Sequence, residues 1–132
     1  MTQTHTKARL QILVAEDDEV NQSIIRAFLA DSNMDLTVTS DGREALEAAL
    51  MRKFDLMIVD QNMPFITGDR VIRHLRAGRS VNATTPVIRF TADADRKPLD
   101  FGGIAGTLGV TLPKPLNKDA LVATIAALLG NP

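Results

Sequence analysis

The sequence predicts an α/β fold built on an open parallel sheet with helices on both faces. Three observations point there: five strand-length apolar runs, helically spaced segments between them, and a first and third run apolar at nearly every position. Strands covered on both faces read that way, whereas a half-wet antiparallel strand alternates.

The runs are Ile12 to Ala15, Leu36 to Val38, Leu56 to Val59, Val87 to Phe90 and Val110 to Leu112. After the first, Asp18 is placed as a helix N-cap, followed by Val20, Ile24, Ala27 and Phe28 on one face at i, i+4, i+7 and i+8. Asp41 and Glu44 have capping-box spacing and open a second helix that is expected to bury Ala45, Leu46, Ala49 and Leu50. A third helix uses Val71, Ile72 and Leu75, and the last starts after Asn117, buries Leu121, Ile125, Leu128 and Leu129, and ends at Gly130. Strict alternation implies right-handed crossovers and a ligand site at the carboxyl ends of the strands.

Composition bounds the function. The 132 residues suit one domain, and 45% hydrophobic with 23% charged residues suits a packed one. A net charge of −1 and a pI near 6.1 give no basic field for nucleic acid or anionic lipid, so neither direct nucleic-acid binding nor membrane contact is expected. The absence of cysteine excludes a disulfide scaffold and a cysteine nucleophile and agrees with a cytoplasmic setting. No apolar run approaches the roughly 18 residues of a membrane span. Residues 1–9, MTQTHTKAR, lack apolar periodicity and read as a flexible leader, leaving 10–130 as the domain.

The strand ends carry the chemistry. Glu16, Asp17 and Asp18 follow the first strand, Asp60 the third, Thr91 the fourth and Lys114 the fifth, so all should converge on one edge. Carboxylates crowded in one crevice repel unless some protonate or a cation neutralises them. Oxygen ligands without His or Cys favour Mg²⁺. With the Lys114 charge and the Thr91 hydroxyl, the set offers a carboxylate nucleophile and groups that stabilise a transferring phosphoryl.

Four motifs, ILVAEDDEVNQ at 12–22, DLMIVDQNMP at 55–64, TPVIRFTA at 85–92 and Lys114-Pro115, resemble the receiver domain of two-component response regulators and hybrid histidine kinases over roughly residues 10 to 130. VNQ is similar to hybrid-kinase receivers in particular. The resemblance implies a flavodoxin-like, CheY-like sheet of strand order 2-1-3-4-5. It implies Asp60 as phosphoacceptor, Glu16 and Asp17 as the metal-binding pair with Asp60, the Asn62 backbone carbonyl as a further Mg²⁺ ligand, and Thr91 and Lys114 as phosphoryl contacts. It further implies a phosphohistidine donor on a histidine kinase or histidine phosphotransfer protein, and a domain that promotes only its own phosphorylation and dephosphorylation. A cis bond between Lys114 and Pro115 is also common in the family. Asn62 and Asp93 match positions that influence water attack, and two polar residues there imply a short-lived phosphorylated state.

Each residue has a plain alternative: Asp17 and Asp18 as caps, Asp60 as a turn residue before Pro64, Thr91 as a β-branched strand residue, Lys114 as a solvated lysine. Caps and turns do not require these types at the ends of four strands. His74 sits among Arg70, Arg73 and Arg76 and reads as a surface residue. Gly102, Gly103, Gly106 and Gly109 lack the order of a nucleotide-binding loop.

Between Thr91 and Lys114 the pattern departs from the family. Pro98 and the glycines predict a short or mobile fourth helix, and Thr111 stands where the family has a switch aromatic, so switching is expected to work through helix ordering. Arg89, in an apolar strand, must pair, snorkel or meet a partner. The rival functions are a degenerate receiver that only binds partners and a metal-dependent phosphatase; Asn62, where the phosphatase needs an acid, disfavours the latter. With no output domain after Pro132, the sequence reads as a stand-alone regulator or a piece of a hybrid kinase, and homodimerisation stays open.

Overall fold

The computed structural model describes residues 9–30, 32–78, 80–92 and 109–130. In chain order the elements are β1 (Leu10–Ala15), α1 (Glu19–Phe28), β2 (Met34–Thr39), α2 (Gly42–Met51), β3 (Leu56–Asp60), α3 (Gly68–Ala77), β4 (Val87–Thr91), β5 (Gly109–Pro113) and α4 (Lys118–Leu129). All strand pairs are parallel and the order is β2-β1-β3-β4-β5, as expected. The expected short fourth helix falls in 93–108, outside the described residues, as do Asp93 and residues 1–8. Arg9 is described: its guanidinium pairs with Asp35 at 2.6 Å and donates to the Met34 carbonyl at 2.7 Å, holding the chain against β2.

Side-chain alternation along the central strands divides the core in two. Leu13, Ala15, Met57, Val59 and Val87 point to α2 and α3, where they meet Ala45, Ala49, Val71, Ile72 and Leu75. Ile12, Val14, Ile58, Ile88 and Phe90 point the other way, to Ile25 and Leu29 beside α1 and to Leu121 and Ile125 of α4. Each fully buried aliphatic side chain contributes about 1.5–3 kcal/mol.

The caps form as the sequence predicts. Asp18, Asp41 and Asn117 accept from the backbone N–H groups of Asn21, Glu44 and Ala120, and Glu44 reaches back to accept from the N–H of Ser40, the residue before the cap, at 2.7 Å. Gly130 ends α4 with φ of 68°, the left-handed region where glycine carries no Cβ penalty.

Two helix faces need correction. Val20 and Ile24 are 65% and 37% exposed and Ala27 is exposed, whereas Ile25 and Leu29 are buried with Phe28 packed beside them. Adjacent isoleucines at 24 and 25 support two overlapping stripes, and packing selects the one through Ile25. Likewise Leu50 is 50% exposed; α2 turns Ala45 and Ala49 inward, with Leu46 packing at the margin.

Candidate functional site

The strand ends do converge. At the end of β1 and β3, ligand oxygens of Glu16, Asp17 and Asp60 lie within 4.8 Å of one another, with Glu16 and Asp60 buried and Asp17 exposed. Asp60 is only 1% exposed. From just past β5, Lys114 brings its Nζ to 2.9 Å from Asp60 Oδ1, and the Asn62 backbone N–H donates to that same oxygen at 3.1 Å. Thr91 is buried one residue beyond Phe90, which pairs in register with Asp60; the Lys114 N–H donates to the Thr91 carbonyl at 3.1 Å, tying the two residues. The Lys114-Pro115 bond is cis.

Glu16 is held by its surroundings. Its backbone N–H donates to the Thr39 carbonyl, its carbonyl accepts from Gln22 Nε2 at 2.6 Å, and Oε2 accepts from Asp18 N–H at 2.8 Å. Among the described residues Oε1, buried, has no hydrogen-bond partner when the carboxyl is ionised, and only a proton shared with Asp17 would give it one. Burial, with the Asp60 charge nearby, pushes the Glu16 carboxyl up from its ordinary 4.5 to about 7, against the lowering effect of the Asp18 N–H and Lys114. An orphaned carboxylate oxygen facing two other carboxylates is the environment a hard divalent cation completes, so these residues fit such an ion.

The turn after Asp60 is closely packed. A Cβ on Gly68 would lie 2.5 Å from the Asp60 carbonyl oxygen, so glycine lets the N-terminus of α3 sit against the end of β3. A Cβ on Gly42 would overlap the Ile66 carbonyl. Phe65 has φ of 72° and is exposed, with the Arg43 guanidinium stacked 4.2 Å over its ring.

The roles of Gln22 and Arg76 escaped the sequence reading, which left the partners of Arg89 open. Gln22, quoted only within VNQ, supports the Glu16 backbone. Among the described residues Arg89 meets no carboxylate directly: Nη1 donates to Gln61 Oε1 at 3.0 Å and Nη2 to Thr111 Oγ1 at 3.3 Å. Arg76 is buried, donating to the carbonyls of Asn82, Ala83 and Thr85. Their basic character was visible in the sequence, but their neutral partners lie on other elements. A cleft of about 270 Å³, lined by Asn21, Ile24, Phe90, Lys114, Pro115 and Leu116, opens beside the lysine.

Relatives share this architecture. The chain is 32% identical over 123 residues to the response regulator ArlR of Staphylococcus saprophyticus, covering 90% of this chain and 52% of that protein. It is 32% identical over 120 residues to the sensor protein EvgS of Escherichia coli K12, covering 91% of this chain and 10% of that protein. The chain therefore spans about half the length of the first and a tenth of the second. Among solved structures, the receiver domain of the sensor histidine kinase PA1611 of Pseudomonas aeruginosa, with magnesium coordinated in its active site cleft, superposes with a TM-score of 0.79 at 28% identity, over 94% of this chain and all of that one. The chemotaxis protein CheY4 of Vibrio cholerae gives 0.78 at 29% identity, over 92% of this chain and all of that one. The response regulator receiver domain model matches residues 12–126, and the chain belongs to that family.

Proposed function

We propose that this domain accepts a phosphoryl group on Asp60 from a phosphohistidine of a partner histidine kinase or histidine phosphotransfer protein, and that the acyl phosphate sets its signalling state. The observation that carries this reading is the Lys114 ammonium 2.9 Å from the buried Asp60 carboxylate, with Glu16 and Asp17 alongside. No structural role calls for this set at the ends of separate strands.

In the transfer, an Asp60 carboxylate oxygen attacks the phosphorus, the N–P bond of the phosphoimidazole breaks, and the imidazole leaves with the bonding pair and takes a proton. Lys114 holds positive charge at the accepting oxygen, Thr91 supplies a hydroxyl to a phosphoryl oxygen, and the Asn62 N–H fixes the carboxylate orientation. Glu16, Asp17, Asp60 and the Asn62 carbonyl are the residues to hold Mg²⁺, which when bound neutralises the crowded carboxylates and the phosphoryl oxygens. Glu16, with Oε2 taken by the Asp18 N–H and its backbone held by Gln22, serves that role alone.

The apolar cleft beside Lys114, together with exposed Val20 and Ile24, supports docking of a partner protein at the mouth of the site. In this reading the domain turns over no separate substrate, and water attack on the acyl phosphate beside Asn62 returns inorganic phosphate. A cytoplasmic setting fits the cysteine-free sequence; among the described residues no helix is long and apolar enough to cross a membrane. Incubation with Mg²⁺ and acetyl phosphate tests the reading by intact mass. One phosphoryl group should add to the unsubstituted protein and none to Asp60→Asn; equal addition to both would overturn it.

A further inference from the structure

Gln61, the residue after Asp60, has every polar group engaged. Its N–H donates to the Phe90 carbonyl and its carbonyl accepts from Gly68 N–H, both at 3.0 Å. Its Oε1 accepts from Asp69 N–H and from Arg89 Nη1, each at 3.0 Å, and its Nε2 donates to Asp69 Oδ1 at 2.9 Å. Thr67 donates to that same Asp69 oxygen at 2.7 Å. Arg89 stands in register with Val59 on one side and Thr111 on the other, and its second bond reaches the Thr111 hydroxyl.

The guanidinium is unusual in what it lacks. Among the described residues its buried Nε has no partner and both its bonds are to neutral groups, the nearest compensating charge being Asp69 across Gln61. A half-buried cation so satisfied adds little stability, and an apolar side chain would fill the same space at less cost. Retaining arginine here makes sense if its fork is used to hold two elements at once. A threonine at 111 is short enough to leave the guanidinium room and polar enough to accept from it.

We propose that Arg89 is a positioning residue that clamps the Asp60–Gln61 turn and couples it to β5 at Thr111. This rests on the phosphoacceptor reading for its consequence, since a phosphoryl group on Asp60 adds negative charge beside Gln61. The coupled element is the edge strand β5, which carries Thr111 three residues before Lys114.

Two variants test it. Arg89→Met keeps the aliphatic bulk and removes the fork; Gln61→Leu breaks the link from the other end. In the unphosphorylated protein, amide exchange at Asp69 should rise about three- to tenfold in each, the effect of weakening one hydrogen bond, and no further in the double variant. On adding Mg²⁺ and beryllofluoride, the Asn62 and Thr111 amide resonances should both shift in the unsubstituted protein, whereas in Arg89→Met Asn62 alone should shift. A Thr111 shift undiminished in Arg89→Met, or unchanged Asp69 exchange in Arg89→Met, would overturn the proposal. Failure of the phosphoacceptor reading would show separately, as an unmoved Asn62 resonance in the unsubstituted protein, and Asp69 exchange would still decide the clamp.

Discussion

Replacing Glu16 by glutamine should stabilise the metal-free protein, and more so at high pH. Burial raises the Glu16 carboxyl from 4.5 to about 7. A folded-state value above the unfolded one means the folded protein binds the extra proton, so stability falls as pH climbs from about 4.5 and levels off above about 7. The gap of 2.5 units between those two values, at about 1.36 kcal/mol each, puts the cost of the ionised side chain at about 3 kcal/mol above that window. Glutamine is neutral at all pH values and can donate to Asp17 or Asp60. Urea unfolding of Glu16→Gln in chelator should show a gain of up to about 3 kcal/mol at pH 8 that shrinks towards zero at about pH 4.5. Adding Mg²⁺ should stabilise the unsubstituted protein by about 2.7 kcal/mol at a hundredfold excess over the dissociation constant, and should do markedly less for the variant. A gain independent of pH, or equal Mg²⁺ stabilisation of both proteins, would refute the assignment of Glu16 as a strained, metal-seeking carboxylate.

Lys114→Met should leave Asp60 buried beside Glu16 with no cation, lowering stability by about 1–3 kcal/mol at pH 8 in chelator and slowing phosphorylation by acetyl phosphate at least about tenfold, measured by intact mass against time. Gly68→Ala should push the first turn of α3 off the Asp60 carbonyl; thermal unfolding should fall and phosphorylation slow, whereas Gly78→Ala, whose Cβ meets nothing closer than 3.6 Å, should be nearly silent. Asn82 accepts from Phe54 N–H and the Thr85 hydroxyl and donates to the carbonyls of Ala49 and Arg52, so Asn82→Ala should cost at least about 3 kcal/mol in urea unfolding while leaving the phosphorylation rate of the folded protein unchanged.

How much the sequence conveyed depends on the range of the interactions involved. Strands were legible because β1 and β3 are covered on both faces, which leaves a run of apolar residues needing no knowledge of what covers them. Caps at Asp18, Asp41 and Asn117 were legible because donor and acceptor lie three residues apart. Convergence of Glu16, Asp17, Asp60 and Lys114 followed from topology, since parallel strands bring their carboxyl ends to one edge.

Where two local solutions had similar merit, the sequence was ambiguous. The α1 stripe through Val20 and Ile24 and the one through Ile25 and Leu29 differ only in which neighbour covers them, and that is decided by α1 packing against β1 and α4. Leu50 looked buried because it continues the stripe of Leu46, which lies at the margin of the face that Ala45 and Ala49 turn inward. The buried polar links of Arg89 and Arg76 were invisible for another reason: Gln61 and Thr111 lie 28 and 22 residues from Arg89, and a neutral partner leaves no charge pattern to read.

The central claim is that one carboxylate among several takes the phosphoryl group. Treating the phosphorylated protein with borohydride reduces an aspartyl phosphate to homoserine, and peptide mapping then locates it. The account predicts homoserine at residue 60 and nowhere else; homoserine at 17 or 18, or none in a protein that has gained a phosphoryl group, would contradict it.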